Sequence, residues 1–328
     1  MSQDIQVNLP TSIIITIEGI LGTIFNMTAV IVIFTTQLGS NLTMLMLRAQ
    51  VIIDFTACLI TTLYYTMQFA KIASKMTGLY IIDLLICHLW FRNALFWLTC
   101  VLSVQNLVCI SLDRVRCVIF KKMYKVYSFK FTIVYFVYMV IMVFILYTPT
   151  PLLRRYVGNH CKMEFLLPWF KSNTFLNYMV SSWILFAYIV PVIIMITSHI
   201  WVIRVIRKSH SSQLNIESQN LEASVRVKRK ISQLAITTAI MSGQQIILHL
   251  YEGVHQTLIV TNLTKYYYEA ATGQLSTLLI LLSSALNPCV LVLTTSALRR
   301  HLWRSLKILA EVMKWRGKKN NDTNTEVL

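Results

Sequence analysis

Seven separated apolar stretches constrain this 328-residue chain more than any motif it carries. They cover roughly residues 12–35, 43–70, 79–110, 129–152, 174–206, 231–260 and 270–294. About 20 apolar residues cross the hydrocarbon of a bilayer as a helix, because lipid leaves the backbone no hydrogen-bond partner but itself. The chain is 56% hydrophobic and 13% charged, whereas a soluble domain is roughly 25% charged. The expected fold is an all-α membrane protein, a seven-transmembrane helix bundle. Some stretches exceed what a span needs and are expected to tilt or project beyond the lipid. No internal repeat is visible, and the soluble ends are too short for a second domain.

The net charge of +17 would point a soluble protein toward nucleic acid, but its placement here gives a different meaning. With the N-terminus outside, 22 Lys and Arg fall on inner segments and 7 on outer ones, leaving Arg92 within a helix. Basic residues favour the cytoplasmic side, so the N-terminus is expected outside and the C-terminus inside. The basic excess then faces lipid headgroups, and no nucleic-acid partner is expected. Residues 1–11 hold no Lys or Arg, and the apolar run after them is too long for a cleavable signal core. The first helix is expected to act as its own insertion signal.

Among seven cysteines, Cys58, Cys100, Cys109 and Cys289 fall within spans, and Cys117 lies at the inner end of the third. Only Cys87 and Cys161 lie in or beside outer segments, where disulfides persist. They are either two free thiols or a bridge tying the third helix to the second outer loop, and the bridge is the expectation. Asn262 begins a glycosylation sequon, Asn262-Leu263-Thr264, in the third outer loop, close to the membrane.

Three helices carry a polar stripe. On the third, Arg92, Phe96, Thr99, Ser103, Asn106, Ile110 and Arg114 recur at spacings of four and three, so they share one face. On the seventh, Glu269, Gly273, Ser276, Ile280, Ser283 or Ser284, and Asn287 do the same. On the sixth, the stripe is Thr238, Ser242, Gln245, His249, Glu252 and Gln256. Polar groups are costly in hydrocarbon and turn toward the bundle, so these faces are expected to line a shared interior. Asp54 is a lone carboxylate deep in the second span, and a buried carboxylate must be neutralised or paired. Asn26, Ser103, Ser284 and Asn287 lie at depths suited to serve it, either as a packing network or as a sodium- or proton-sensitive switch.

Over about residues 12–310 these features resemble the rhodopsin-like (class A) G protein-coupled receptors. Asn26 is similar to the family's first-helix asparagine, Asp54 to its second-helix aspartate, and Asp113-Arg114 to its acid–arginine pair. Pro191 resembles its fifth-helix proline, and Asn287-Pro288 the start of its seventh-helix motif. Leu298, Leu302, Leu306, Leu309 and Met313 resemble its short amphipathic eighth helix. The resemblance divides the chain into an extracellular N-terminus (1–11), the bundle (12–294), helix 8 (295–314) and a cytoplasmic tail (315–328). It implies a plasma-membrane receptor that passes ligand binding to a heterotrimeric G protein. Asp113, Arg114, Asn287, Pro288 and Pro191 would serve activation. It also implies a sodium ion at Asp54 and Ser103, with Asn287 beside it; no other cofactor is expected.

The chain departs from the family in ways that mark it as a divergent, orphan-type member. Val115, Leu291 and His199 stand where the family has tyrosines, and the sixth helix has Gln244-Gln245 near the place of its Trp and Pro. Cys87 lies 27 residues before Arg114, where the family's usual spacing falls on Leu89. Phe96 occupies the position of the amine-binding aspartate, so an aminergic ligand is not expected. The expected ligand pocket comprises Arg92, Phe96, Gln245, His249, Glu252 and Glu269. Arg92 would either pair with a glutamate or receive an acidic ligand such as a peptide terminus. Enzymes fit poorly, because Asp54 has no second carboxylate at its depth and the seven histidines are scattered. The competing class is a multi-span secondary transporter, which ordinarily shows repeated halves.

Overall fold

The computed structural model describes residues 9–36, 40–72, 75–120, 128–152, 154–158, 160–162, 173–211, 221–261, 263, 271–305, 307 and 311. Seven helices are long and apolar enough to cross a membrane: Leu9–Thr35, Asn41–Phe69, Tyr80–Ile119, Phe129–Leu152, Asn177–Lys208, Ile231–Leu258 and Ala271–Thr294. They are called the first to seventh spans in chain order. The third is the most enclosed, and its buried face runs from Ala94 to Val118. The fourth shows the opposite pattern, with Phe129, Val140 and Phe144 each more than two-thirds exposed. Apolar surface on that scale is suited to lipid rather than water.

Small residues set how closely the helices approach. A Cβ on Gly22 of the first span would lie 2.6 Å from Cys58 Sγ and 3.0 Å from Ala285 Cβ. The first span therefore seats directly against the second and seventh.

Two spans depart from regular α-helix over part of their length. The third begins as α-helix over Tyr80–Leu85, widens to a π turn at Ile86–Trp90, and breaks at Phe91–Asn93 before resuming at Ala94. Arg92 and Asn93 both have φ of 53°, a left-handed conformation that disfavours side chains with a Cβ. In the fifth span a π turn, Ile184–Ile189, runs up to Pro191. A π turn bonds residue i+5 to i, and Pro191, five residues after Phe186, has no N–H to give. Gln105 Nε2 of the third span donates to the Phe186 carbonyl instead, at 2.9 Å, while Tyr138 of the fourth donates to Gln105 Oε1 at 2.6 Å.

Beyond the fourth span a two-stranded hairpin pairs Arg155–Val157 with His160–Lys162, in antiparallel register Tyr156↔Cys161. Cys161 is disulfide-bonded to Cys87, with Cα atoms 5.4 Å apart. Asp83 anchors the same end. Its carboxylate accepts from the Thr77 and Gly78 amides, from the Thr77 hydroxyl, and from the Tyr156 phenol at 3.0 Å. Desolvation and the bond to Asp83 hold the Tyr156 phenol above its ordinary pKa.

At the opposite end, residues 296–305 are helical. His301 meets Thr35 of the first span at 2.9 Å, and Ser296 donates to Gln233 at 3.2 Å. Of the expected amphipathic row, Leu298 is buried, whereas Leu306, Leu309 and Met313 lie outside the described residues.

Candidate functional site

Asp54 is fully buried where the second, third and seventh spans meet. Ser103 donates to its Oδ1 at 3.0 Å, and Gln50 and Asn287 donate to its Oδ2 at 3.0 and 2.8 Å. Hydrogen bonds to an ionised acceptor are about twice as strong as neutral ones, so three donors converging there offset much of the cost of burying a carboxylate. Ser103 and Asn287 are the partners the depth argument expected, and Ser284 sits at the edge of the group. Asn26 is a correction. Its amide donates to the carbonyls of Gly22 and Ser284, at 2.9 and 3.1 Å, tying the first span to the seventh. A matched depth did not secure contact, because the first span packs outside the second and seventh.

The bonding continues in both directions from Asp54. On one side Asn106 donates to Gln50 Oε1 at 2.9 Å, and Tyr135 of the fourth span donates to Asn106 Oδ1 at 3.0 Å. On the other, Gln244 Nε2 donates to Asn287 Oδ1 at 2.7 Å and to the Ser283 carbonyl at 3.0 Å. The Ser283 hydroxyl donates to Gln245 Oε1, and the Gln245 amide lies 2.5 Å from His249 Nε2. Side chains from five spans thus form one connected polar chain from Tyr135 to His249. Pro288 follows Asn287 inside the seventh helix.

Arg114 lies near the C-terminal end of the third span and is 2% exposed. Its guanidinium donates to Asp113 Oδ2 and, at 2.5 Å, to the Thr43 hydroxyl. Thr43 in turn donates to Asp113 Oδ2 at 2.7 Å. The three residues form a closed triangle between the second and third spans. Asp113–Arg114 is the one ion pair among the described residues. Asp113 Oδ1 and Arg114 Nε are buried and take no hydrogen-bond partner among them.

One turn before Arg114, the third, fifth and sixth spans share a second triangle. His199 Nε2 lies 3.1 Å from Ser111 Oγ and 3.1 Å from Ser242 Oγ, and the two hydroxyls are 3.4 Å apart. The helical face predicted for the sixth span is present, since Thr238, Ser242, Gln245, His249 and Glu252 are all buried.

A cleft with an enclosed volume of about 20 Å³ opens between the third, fifth, sixth and seventh spans. His249 and Glu252 line it, with Trp183 and Tyr188 from the fifth span, whereas Arg92, Phe96 and Gln245 do not. Phe96 is fully buried in an apolar cluster with Ile280 and Cys100, and Gln245 is consumed by the polar chain. Arg92 departs most from expectation. Helical spacing put it one turn beyond Phe96 on the same face, but the left-handed break resets the register before Ala94. Its guanidinium instead sits 5.5 Å from the centre of the Phe91 ring. Glu269 and Asn262 lie outside the described residues.

Sequence reasoning missed Thr43, Gln50 and the pairing of His199 with two serines. A threonine or glutamine in an apolar helix carries no periodic signal of its partner. The usable clue was depth, since Gln50 is one turn from Asp54 on the same face. No protein-family model matches the chain, and no curated protein matches it.

Proposed function

We propose that the chain is a rhodopsin-like, divergent receptor of the plasma membrane, its N-terminus outside, that couples an external ligand to a heterotrimeric G protein. The observation that carries this reading is the closed triangle of Arg114, Asp113 and Thr43. A permanently buried ion pair is a poor source of stability, because desolvation offsets its attraction. One that can open at the cytoplasmic mouth has a use as a two-state element. In the closed state Thr43 and Asp113 occupy the guanidinium. Separation of the inner ends of the second and third spans frees it toward the basic second and third inner loops, where the G protein would dock.

The Asp54 chain supplies a route between the outer cleft and the core, because His249 both lines the cleft and terminates that chain. Sodium at Asp54 and Ser103 fits this reading, since the carboxylate and hydroxyl oxygens are already gathered there.

Nucleotide exchange on a purified heterotrimer, with the chain in nanodiscs, tests the proposal against a screened agonist. Exchange should rise with agonist, and Arg114→Ala should abolish it while agonist binding survives. A tag inserted at Ser212 should be labelled only after permeabilisation. Solute uptake into proteoliposomes without nucleotide exchange would instead establish a transporter.

A further inference from the structure

The outer cleft carries one acidic group and neither lysine nor arginine on its lining. Glu252 is 6% exposed, and its Oε1 accepts from Gln256 at 2.6 Å. No cation pairs with it among the described residues, where the single ion pair is at the far end of the bundle. A buried carboxylate without a counter-ion is costly, and this one faces a cleft whose enclosed volume of about 20 Å³ matches an ammonium head, leaving the body of a ligand to lie in the open mouth. Apart from His249, the rest of the wall is apolar and aromatic. Tyr188 comes from the π turn of the fifth span and Trp183 from the residue just before it, and Val104 and Ile280 come from the third and seventh. The indole at the turn's edge and the phenol within it offer ring faces that attract a cation.

The wall is also held in place. Gln105 satisfies the Phe186 carbonyl within the π turn, and Tyr188 packs so closely on Gly253 that a Cβ there would meet its ring at 3.0 Å. Arg92, the cation that helical spacing offered to Glu252, is held over Phe91 and does not line the cleft.

We propose that the cleft binds a cationic ligand, an ammonium on an apolar or aromatic body, with Glu252 as its counter-ion and Trp183 and Tyr188 against its body. This replaces the acidic ligand that Arg92 suggested. The carboxylate reaches the ammonium from the sixth span, so Phe96 at the family's amine-binding position is no obstacle. His249, one turn from Glu252 on the same face, would sense the occupant and pass its position to Gln245 and the polar chain. The inference rests on reading the cleft as the receptor's ligand site and adds the chemistry of what enters it.

The test uses the full chain in phosphatidylcholine nanodiscs and three probes of matched shape: phenethylammonium, phenethyl alcohol and hydrocinnamate. Equilibrium dialysis should show phenethylammonium binding at least about 10-fold tighter than either other probe. Glu252→Gln should remove that preference, and Arg92→Ala should leave it intact. Glu252→Asp should retain part of it, which separates loss of charge from loss of fold. Equal affinities, tighter hydrocinnamate, no saturable phenethylammonium binding, or a preference that survives Glu252→Gln would each overturn the proposal. Nucleotide exchange is read separately. Cation selectivity at Glu252 without any exchange would leave this inference standing and remove the receptor reading, and the converse would remove this inference alone.

Discussion

Thr43→Val is the substitution that interrogates the inner triangle most directly. Valine keeps the shape of threonine and deletes the hydroxyl that joins Asp113 and Arg114. Each lost hydrogen bond to a charged group is worth about 1.5–3 kcal/mol. The two bonds share one oxygen, and the freed groups recover some solvation when the helices separate. A net loss of about 2 kcal/mol from the closed state alone is a reasonable value. With 1.4 kcal/mol per factor of ten, that shifts the closed–open equilibrium about 30-fold. A receptor open about 1% of the time would then be open about a quarter of the time. Basal nucleotide exchange, measured without agonist on a purified heterotrimer, should rise by about 20-fold. Thr43→Ser keeps the hydroxyl and should stay at the wild-type level, while Thr43→Val combined with Arg114→Ala should be silent. If folded Thr43→Val exchanges nucleotide at the wild-type basal rate, the triangle is not a lock.

Asp54→Asn replaces an acceptor by a group that also donates, beneath two amide donors, Gln50 and Asn287. It should cost about 1–3 kcal/mol of stability and abolish any sodium dependence of agonist affinity, read by thermal unfolding and by binding in sodium against choline buffer. Gln105→Leu strips the Phe186 carbonyl of its donor and should cost about 1–3 kcal/mol, with greater exchange protection lost in the fifth span than in the first by hydrogen–deuterium exchange. Cys161→Ser releases the outer hairpin and should cost about 2–5 kcal/mol. Reductant should shift the melting of the wild type toward that of the mutant and leave the mutant unchanged.

The seven spans were legible because a membrane imposes one demand that no packing detail overrides: about 20 apolar residues in succession. The third span shows where that signal fades. Its apolar run ends near residue 110, but the helix continues to Ile119, carrying Asp113 and Arg114 past the last strongly hydrophobic turn. The Cys87–Cys161 bridge was legible by depth, and Ser103 and Asn287 by depth and face together. Arg92 was misread because spacing arguments assume an unbroken α-helix, and one π turn plus two left-handed residues rotate everything outside them. Asp83 shows the limit of local pattern. Its four donors come from a loop and a hairpin whose approach no local pattern encodes. Gln105 was passed over for the same reason, since the Phe186 carbonyl and the Tyr138 phenol it joins lie 81 and 33 positions away in the chain.

On the receptor reading proposed above, the departures from that family acquire a common physical sense once their contacts are known. Gln244-Gln245 stands near where the family carries an aromatic residue and proline on the sixth helix, and both glutamines are links in the chain from Asn287 to His249. His199 stands in place of a tyrosine and joins the third, fifth and sixth spans through two serine hydroxyls. An aromatic ring transmits motion by steric contact, which tolerates sliding. An amide chain transmits it by donor and acceptor pairing, which holds at about 2.9 Å and weakens steeply when misaligned. Each buried amide that loses its partner costs about 1–3 kcal/mol, so intermediate positions of the sixth span are disfavoured relative to two fully bonded ones. On the receptor reading, these polar replacements do not remove the relay. They make it a switch whose two settings are two hydrogen-bonding patterns.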